Sequence, residues 1–290
     1  MPAVASPHMP VPETESFVRV SPEGKPPFEL AYERRGSGEP VVLLHGIGHH
    51  WQAWEPVLGI LAASHDVTAL DLPGFGASPR LPDGVSYELG SVVPLLGETL
   101  RELGLERPHI VGNSLGGLLA LELGLHGYAR SVTALSPAGF WTPAERRWAY
   151  ALLSGMRAGA RGIPDGVLRR LARSAPGRAA LTGTIYARPG RRSPEAIMAE
   201  TRSMRGATAF APTLKAGRSR DVLFEKDLTG LPVTIGWGEK DRLLLPRQGR
   251  RAQRSIPGAR HVSLPGCGHV PMNDDPALVA RLVLETVRTA

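Results

Sequence analysis

The chain of 290 residues is long enough for one large domain or a core with an insertion, and its 42% hydrophobic content excludes a wholly disordered protein. Its single cysteine, Cys267, excludes an internal disulfide, and no apolar run approaches the roughly 18 residues that a membrane span needs. The net charge of +7 is compatible with an anionic partner, but the interpretation depends on where in the chain the charge lies.

The positive charge is concentrated between Phe140 and Arg220. That segment has 15 arginines and one lysine against four acidic residues, a net charge of +12, so the rest of the chain is net negative. Its arginines are scattered through apolar helical patterns rather than interleaved with aromatic residues, which argues against nucleic-acid binding. We interpret them as solvated helix faces, or as a surface that attracts an anionic substrate.

The sequence MPAVASPHMPVPETES opens the chain. It is rich in proline and lacks the basic and apolar regions of a signal peptide. We predict a flexible tail over residues 1–15. With one cysteine and no predicted membrane span, a cytoplasmic location is expected.

Strand-like and helix-like runs alternate after this tail. SFVRV and FELAYERRG predict two opening strands, and the continuous apolar run PVVLLHG predicts a buried parallel strand. WQAWEPVLGILAAS predicts a helix, DVTALD a strand and SYELGSVVPLLGETLRELGL a long helix with an internal proline. This alternation predicts an α/β fold whose mostly parallel central sheet is covered by helices on both faces.

The alternation continues through the middle of the chain and is then interrupted. RPHIVGN predicts a strand, LGGLLALELGLHG a helix and SVTALSP a strand, after which about 80 residues look helical. PVTIGWG resumes the pattern, followed by a helix near PRQGRRAQRSI, the strand ARHVSLP and the last helix PALVARLVLETVRT. We predict a helical lid over residues 140–220, inserted between core segments 16–139 and 221–290.

A glycine-flanked serine stands where a predicted strand passes directly into a helix, in the sequence GNSLGG. Gly112 and Gly116 take the glycine positions of G-x-S-x-G, where small residues let strand and helix approach while Ser114 adopts a strained backbone. This turn would expose the serine hydroxyl above the helix N-terminus. Because the chain has 34 glycines, the motif alone is weak, and a nucleophilic serine also needs a base and an orienting acid.

Two later loops supply candidates for that base and acid. Asp241 follows the predicted strand PVTIGWG, and His269 follows the predicted strand ARHVSLP. The carboxyl ends of parallel strands face one crevice, so both side chains are expected near Ser114. Glu239, two residues before Asp241, is the alternative acid.

The chain resembles α/β-hydrolase fold proteins from about residue 17 to its C-terminus, apart from the predicted lid. The resemblance rests on HGIG, DLPGFGAS, GNSLGG, GEKD and GCGHVPM, each in a loop at a strand end, and on the chain order Ser, Asp, His. It implies that Ser114 is the nucleophile, His269 the general base and Asp241 the acid that orients the base.

The same resemblance implies an oxyanion hole formed by the backbone N–H groups of Ile47 and Leu115. Such donors stabilise the negative charge that develops on a substrate carbonyl oxygen. The residues that we predict at the rim of the pocket are Gly46, His49, Trp141 and Val270. Trp141, at the start of the predicted lid, has core packing as its alternative role.

Several other polar residues near these motifs have structural interpretations. His45 is expected to pack inside the oxyanion loop, and Asp71 is expected to shape the neighbouring DLPGFGAS loop. Asp274 and Asp275 are expected to cap the last helix, where aspartate is favoured. Cys267 is expected to be a small buried loop residue.

No metal or cofactor is predicted. A metal site built from His45, His49 and His50 lacks a recognised ligand spacing. The sequence also lacks the phosphate-binding pattern G-x-x-x-x-G-K-[ST], and its glycine-rich loops are accounted for by the hydrolase motifs.

The serine narrows the predicted chemistry. Haloalkane dehalogenases and the related epoxide hydrolases carry aspartate at this turn, whereas serine implies attack on a carbonyl and an acyl intermediate. We therefore expect hydrolysis of a small to medium carboxylic ester, and the basic lid is compatible with an anionic substrate. Thioester hydrolysis and perhydrolase activity would use the same three residues.

Two other functions stay open. GNSLGG also resembles the turn of carbon–carbon bond hydrolases of the meta-cleavage type, which use a lid arginine for the substrate carboxylate. The departures are the oxyanion loop HGIGHHW, poorer in glycine than theirs, and Val270, where an aromatic residue often follows the catalytic histidine. A ligand-binding sensor that retains the triad, as in some plant hormone receptors, is the third hypothesis. The oligomeric state is not predicted.

Overall fold

The computed structural model describes residues 16–21, 24–226 and 228–290, so the predicted tail over residues 1–15 lies outside the described residues. The strands are β1 (Ser16–Val20), β2 (Phe28–Arg35), β3 (Glu39–Leu44), β4 (His65–Leu70), β5 (His109–Asn113), β6 (Ser131–Leu135), β7 (Val233–Gly238) and β8 (Arg260–Leu264). Each of them overlaps a run that the sequence predicts as a strand.

Helices fill most of the remaining described sequence. They are α1 (Glu55–Ala62), α2 (Leu89–Glu102), α3 (Leu115–Leu125), α4 (Pro143–Gly162), α5 (Asp165–Arg173), α6 (Ala175–Thr182), α7 (Pro194–Gly206), α8 (Phe210–Ala216), α9 (Arg247–Ser255), α10 (Pro271–Asp274) and α11 (Pro276–Val287). Short 3-10 turns occupy Trp51–Trp54, Pro189–Arg191 and Arg220–Val222. The predicted helix that starts at Trp51 is therefore a 3-10 turn followed by α1.

The eight strands form one sheet in the order β1-β2-β4-β3-β5-β6-β7-β8. β1 pairs antiparallel with β2 and β2 with β4, and every other pair is parallel. Helix α1 contacts α11 and helix α2 contacts α3, which gives one helix layer on each face. The predicted α/β fold is confirmed.

The central strands are buried on both faces, which explains their continuous apolar sequences. Val41, Val42, Leu43 and Leu44 of β3 are at most 1% exposed. A strand covered on both faces has no solvent side, so the alternation of polar and apolar residues disappears.

Helices α4 to α8 lie between β6 and β7, and we call residues 143–216 the helical insertion. Within it, α7 contacts α4, α5 and α6. The insertion begins with a capping box, in which the Thr142 side chain accepts from Glu145 N–H and the Glu145 carboxylate accepts from Thr142 N–H. The same carboxylate also pairs with Arg247 and Arg251 of α9, so the start of the insertion is fastened to the core.

The arginines of the insertion differ in their surroundings. Arg202 and Arg205 both pair with Asp165 at 2.8 Å on the surface, as solvated helix faces would. Arg192 departs from that interpretation because it is 7% exposed and bonded to the buried Glu200 carboxylate at 2.5 Å. A buried arginine needs such a partner, since an unpaired charge inside a protein is very costly.

The turn from β5 into α3 depends on close backbone approaches. A Cβ on Gly112 would lie 2.0 Å from the Gly116 carbonyl oxygen, and a Cβ on Gly116 would lie 2.1 Å from the Leu44 carbonyl oxygen. No side chain fits at either position. The two glycines of the motif are therefore required by packing as well as by the turn.

We expect Gly116→Ala to lower the free energy of unfolding by at least about 2 kcal/mol, because the new methyl group must displace the β3 backbone. Urea denaturation followed by circular dichroism measures this change. Gly59→Ala is the matched control, since Gly59 lies in α1 with open space where a methyl group would stand, and there we expect a gain of about 0.5–1 kcal/mol. Equal effects of the two substitutions would contradict the packing argument.

Candidate active site

Ser114 occupies the turn between β5 and α3 in a backbone conformation that is rare for a side-chain-bearing residue. Its φ is 58° and its ψ is −115°. Its N–H donates to the Leu135 carbonyl at 3.0 Å, and its carbonyl accepts from Leu118 N–H at 3.1 Å and Ala138 N–H at 3.0 Å. These three bonds hold a strained residue in place, and strain of this kind is concentrated at functional sites.

His269 and Asp241 lie together beside this turn. His269 Nδ1 is 2.8 Å from Asp241 Oδ2, and the two residues are 3% and 2% exposed. The other carboxylate oxygen, Oδ1, accepts the N–H groups of Leu243 at 2.9 Å and Leu244 at 2.8 Å. A carboxylate at Nδ1 stabilises the tautomer that leaves Nε2 free to accept a proton.

Glu239, the alternative acid, lies elsewhere. It is exposed, and its Oε1 accepts from Ser263 Oγ at 3.0 Å. Because Asp241 contacts the imidazole, Asp241 and not Glu239 is in position to orient His269.

Asn113 forms hydrogen bonds within the site, and its role was not predicted from the sequence. Its side-chain N–H₂ group donates to the His269 carbonyl at 2.9 Å and to the Leu135 carbonyl at 3.0 Å. The residue before Ser114 therefore connects the serine turn directly to the loop that carries His269. We call this loop, residues 265–270, the histidine loop. The only sequence signal was a polar residue at the end of a buried strand, because such a side chain needs partners inside the protein.

Asp275 caps α11 as expected, with its side chain accepting a backbone N–H of the first turn. The expectation for Asp274 was wrong. Its fully buried carboxylate accepts the N–H groups of Gly268 at 2.8 Å, Ala187 at 2.9 Å and Arg188 at 2.6 Å. A buried carboxylate needs several donors, and the histidine loop and the helical insertion supply them together.

The predicted oxyanion loop, residues 45–51 after β3, is held in place by buried side chains. His45 is fully buried, and its Nε2 accepts the Leu72 N–H at 3.0 Å, as the structural interpretation of His45 required. The Asp71 carboxylate accepts the N–H groups of Trp51 at 2.6 Å and Ala77 at 2.8 Å. The loop that carries Ile47 is therefore joined to the loop after β4.

Two features of the structure bear on the predicted oxyanion hole, one in the loop after β3 and one at the start of α3. A Cβ on Gly46 would come within 3.2 Å of the Ser114 Cβ, so this stretch of backbone passes very close to the serine. Leu115 is the first residue of α3, so its N–H has no partner within the helix. Ile47 and Leu115 both line a cavity that contains Ser114.

Two adjoining cavities contain Ser114. The first, which we call the central cavity, is lined by Ser114, His269 and the predicted rim residues Gly46, His49 and Val270. The second, the apolar chamber, is lined by Ser114, Leu115, Leu118, Trp141, Tyr150 and other mostly apolar residues. Ile47, Leu153 and Leu243 line both, so the cavities are continuous at the serine.

Three buried histidines of the oxyanion loop have strongly lowered pKa values. Burial lowers the pKa of His45 to about 3. Burial, with the nearby Arg192 charge, lowers the pKa of His49 to about 3, and burial lowers the pKa of His50 to about 4. These imidazoles are therefore neutral near pH 7.

The surroundings of Cys267 are those of a structural residue. Cys267 is 1% exposed, and burial raises the pKa of its thiol to about 12, so it is not a thiolate nucleophile near neutral pH.

Within the described residues, no three His, Cys, Asp or Glu side chains are grouped to hold a metal ion. In the same part of the chain, no helix has the length and apolar character to cross a membrane.

Comparison with known proteins identifies relatives. The model of the alpha/beta hydrolase family matches residues 41–282. The chain is 35% identical over 191 residues to epoxide hydrolase EphH of Mycobacterium tuberculosis, covering 63% of this chain and 87% of that protein. It is 41% identical over 98 residues to a pimeloyl-acyl-carrier-protein methyl ester esterase of Aeromonas hydrophila, covering 34% of this chain and 37% of that protein.

A solved structure extends the likeness to nearly the whole fold. The meta-cleavage product hydrolase of Pseudomonas fluorescens has a TM-score of 0.68 to this chain at 21% identity, covering 90% of this chain and 95% of the other. At this identity the likeness concerns the fold alone.

The neutral histidines predict a loss of stability in acid. In the unfolded chain each has a pKa of about 6.5, so below that pH the unfolded state binds protons that the folded state does not. The free energy of unfolding is therefore expected to fall as pH falls from 6.5 towards 4, by up to about 1.4 kcal/mol per pH unit for each histidine. Urea denaturation between pH 7.5 and 4.5 measures this slope.

His49→Gln is expected to reduce that slope by about one proton equivalent, because it removes one of the three groups. His126→Gln is the control, since His126 is an exposed side chain outside the site. An unchanged slope in His49→Gln would show that the imidazole titrates normally in the folded protein.

Proposed function

The chain belongs to the alpha/beta hydrolase family, and from that premise we propose that it is a serine hydrolase that cleaves a small to medium carboxylic ester. The observation that carries the proposal is the 2.8 Å contact between His269 Nδ1 and Asp241 Oδ2, in a residue pair whose histidine shares the central cavity with Ser114. Nucleophile, base and orienting acid are the minimum set for serine catalysis.

In the proposed acylation step, Ser114 Oγ attacks the ester carbonyl carbon while His269 Nε2 takes the hydroxyl proton. The carbonyl oxygen becomes negatively charged, and the N–H groups of Ile47 and Leu115 stabilise it. The bond between the carbonyl carbon and the alcohol oxygen then breaks. His269 gives its proton to that oxygen, and an acyl group stays on Ser114.

In the proposed deacylation step, a water molecule replaces the alcohol. His269 takes a proton from the water, whose oxygen attacks the acyl carbon, and the same two N–H groups stabilise the second intermediate. Breaking of the bond to Ser114 Oγ returns the proton to the serine and releases the carboxylic acid. Asp241 stabilises the imidazolium in both steps and keeps its charge throughout.

The surroundings of Ser114 support an uncharged acyl group. No arginine or lysine is among the described residues that line the central cavity or the apolar chamber. Burial of a methylene group contributes about 0.8 kcal/mol, so a chamber lined by Leu115, Leu118 and Trp141 favours an alkyl or aryl chain. The basic charge of the insertion therefore supplies no direct contact to the acyl group.

The same absence weakens the carbon–carbon hydrolase hypothesis. That chemistry requires a cation for the substrate carboxylate, and Arg192 is committed to Glu200 at 2.5 Å and to the Gln52 carbonyl at 3.3 Å. The described residues that line the two cavities include no arginine. The ester hypothesis needs no such group, so the geometry supports it better.

The helical insertion covers one wall of the apolar chamber. We propose that the helical insertion acts as a lid, since its helices α4 and α8 contribute Leu153 and Leu214 to the wall of the apolar chamber. The cytoplasmic location expected from the sequence stays a prediction.

Ser114→Ala is expected to lower kcat for p-nitrophenyl butanoate by roughly 10⁴-fold or more, because it removes the hydroxyl that carries the acyl group in the proposed mechanism. Ser154→Ala is the matched control, since Ser154 is an exposed serine of α4. Stopped-flow absorbance gives both the burst and the steady rate. A burst without turnover in the wild type would favour the ligand-binding sensor over the esterase.

Asp241→Asn is expected to lower kcat by about 10⁴-fold, because an amide at Oδ2 stabilises the wrong imidazole tautomer. Glu239→Gln removes the exposed alternative acid and should leave kcat within twofold of the wild type, roughly the scatter expected of a surface substitution. The reverse ranking of these two variants would assign the orienting role to Glu239.

A further inference from the structure

A third cavity lies between the helical insertion and the loop after β3, and it adjoins the central cavity. We call it the polar cleft. The residues that it shares with the central cavity are His49, Met156, Ile185 and Met204, and none of them lines the apolar chamber. The central cavity, which contains Ser114 and His269, therefore adjoins two other spaces through different parts of its wall.

The cleft exists because one face of α4 lacks bulky side chains. Ala151, Gly155 and Gly159 follow one another at intervals of four residues and line the cleft together. Residues at this spacing share one face of a helix. A Cβ on Gly155 or Gly159 would meet no atom within 4 Å, so the space beside them is open.

His49 gives the cleft a polar group that lacks a partner. The residue is only 8% exposed, it lines both the cleft and the central cavity, and its Nδ1 has no hydrogen-bond partner. Buried polar atoms are nearly always paired, so this imidazole has an unmet hydrogen bond that a ligand beside it could satisfy. Because its pKa is lowered to about 3, this imidazole offers a neutral donor or acceptor.

Other polar groups of the cleft are acceptors. The hydroxyls of Thr182 and Thr201 donate to backbone carbonyls at 2.9 Å and 2.8 Å, which leaves their oxygens to accept. The carboxylate of Glu200 also lines the cleft, with Arg192 paired to it from outside the described lining. A ligand with hydroxyl groups suits these walls, and an anionic ligand is disfavoured because no arginine or lysine is among the described residues that line the cleft.

The position of His269 distinguishes the two ends of the proposed substrate. The alcohol oxygen must receive its proton from His269, which lines the central cavity and is not among the residues that line the apolar chamber. The alcohol therefore departs on the side of the central cavity that leads to the cleft. The acyl chain occupies the apolar chamber, which Ser114 and both proposed oxyanion donors line.

We propose that the polar cleft binds the leaving alcohol of the substrate, and that this alcohol is uncharged and carries hydroxyl or ether groups. The inference rests on the proposed ester hydrolysis. In the step concerned, the bond from the acyl carbon to the alcohol oxygen breaks, the serine proton reaches that oxygen through His269, and the neutral alcohol leaves through the cleft. His49 binds the alcohol and takes no part in the proton transfer.

The test uses three esters that form the same butanoyl-enzyme. They are methyl butanoate, hexyl butanoate and the monobutanoate of diethylene glycol, and the last two have chains of equal length. Because the acyl group is constant, ratios of kcat/KM between them report the leaving group alone.

Gly155→Leu fills the cleft while replacing a helical glycine with a better helix former, so the variant is expected to fold. The kcat/KM ratio of the glycol ester to the methyl ester should fall tenfold or more. Gly59→Leu makes the same exchange on an exposed face of α1, where that ratio should not change. Equal ratios in the wild type and Gly155→Leu would overturn the proposal.

His49→Leu removes the unpaired imidazole and tests the polar contact separately. The ratio of the glycol ester to the hexyl ester should fall about tenfold, the usual effect of one hydrogen bond, and His49→Gln should restore part of it. A ratio that does not move, or a wild type that prefers the hexyl ester, would overturn the polar character of the cleft.

The wild type and Ser114→Ala separate this inference from the proposed function. If no ester is turned over by the wild type, or if turnover survives in Ser114→Ala, the proposed serine esterase fails. If turnover depends on Ser114 but the ratios are insensitive to the cleft variants, only the leaving-group assignment fails.

Discussion

The backbone of Ser114 at φ 58° is the constraint on which the rest of the site depends. A turn this sharp exists only if β5 and α3 approach within the distance that two glycines permit, and a methyl group on Gly116 would meet the β3 backbone. The sheet must therefore be assembled for the turn to form. The strain at Ser114 is balanced by its backbone hydrogen bonds to Leu135, Leu118 and Ala138. The position of the serine hydroxyl therefore depends on the packing of the core.

The histidine loop is held by polar side chains that lie outside the proposed triad. Asn113 reaches from the serine turn to the His269 carbonyl, and Asp274 binds Gly268 N–H together with two N–H groups of the helical insertion. Since Asp274 is fully buried, releasing either set of donors would leave a carboxylate without its partners. The segment around Ala187 is therefore coupled to the position of His269.

The charged side chains of the helical insertion lie both on its surface and in its interior. Arginines such as Arg202 pair on the outside, whereas Arg192 and Glu200 form a buried pair next to the oxyanion loop. Burial is the main cause of the lowered pKa of His49, and the Arg192 charge adds to it because a nearby cation disfavours a second positive charge. The insertion contributes mostly apolar residues to the apolar chamber, and it adds hydroxyl and carboxylate groups to the wall of the polar cleft. This difference suits a substrate with two different ends.

The sequence by itself determined the order of strands and helices and the candidates Ser114, Asp241 and His269, because periodicity and strand-end motifs are local properties of the chain. The family resemblance favoured Asp241 over Glu239, and the tertiary structure shows that Asp241 contacts His269 while Glu239 contacts Ser263. Only the tertiary structure revealed the roles of Asn113 and Asp274 and the cavities of the insertion. Each depends on contacts between segments far apart in the chain, and such contacts leave no local pattern.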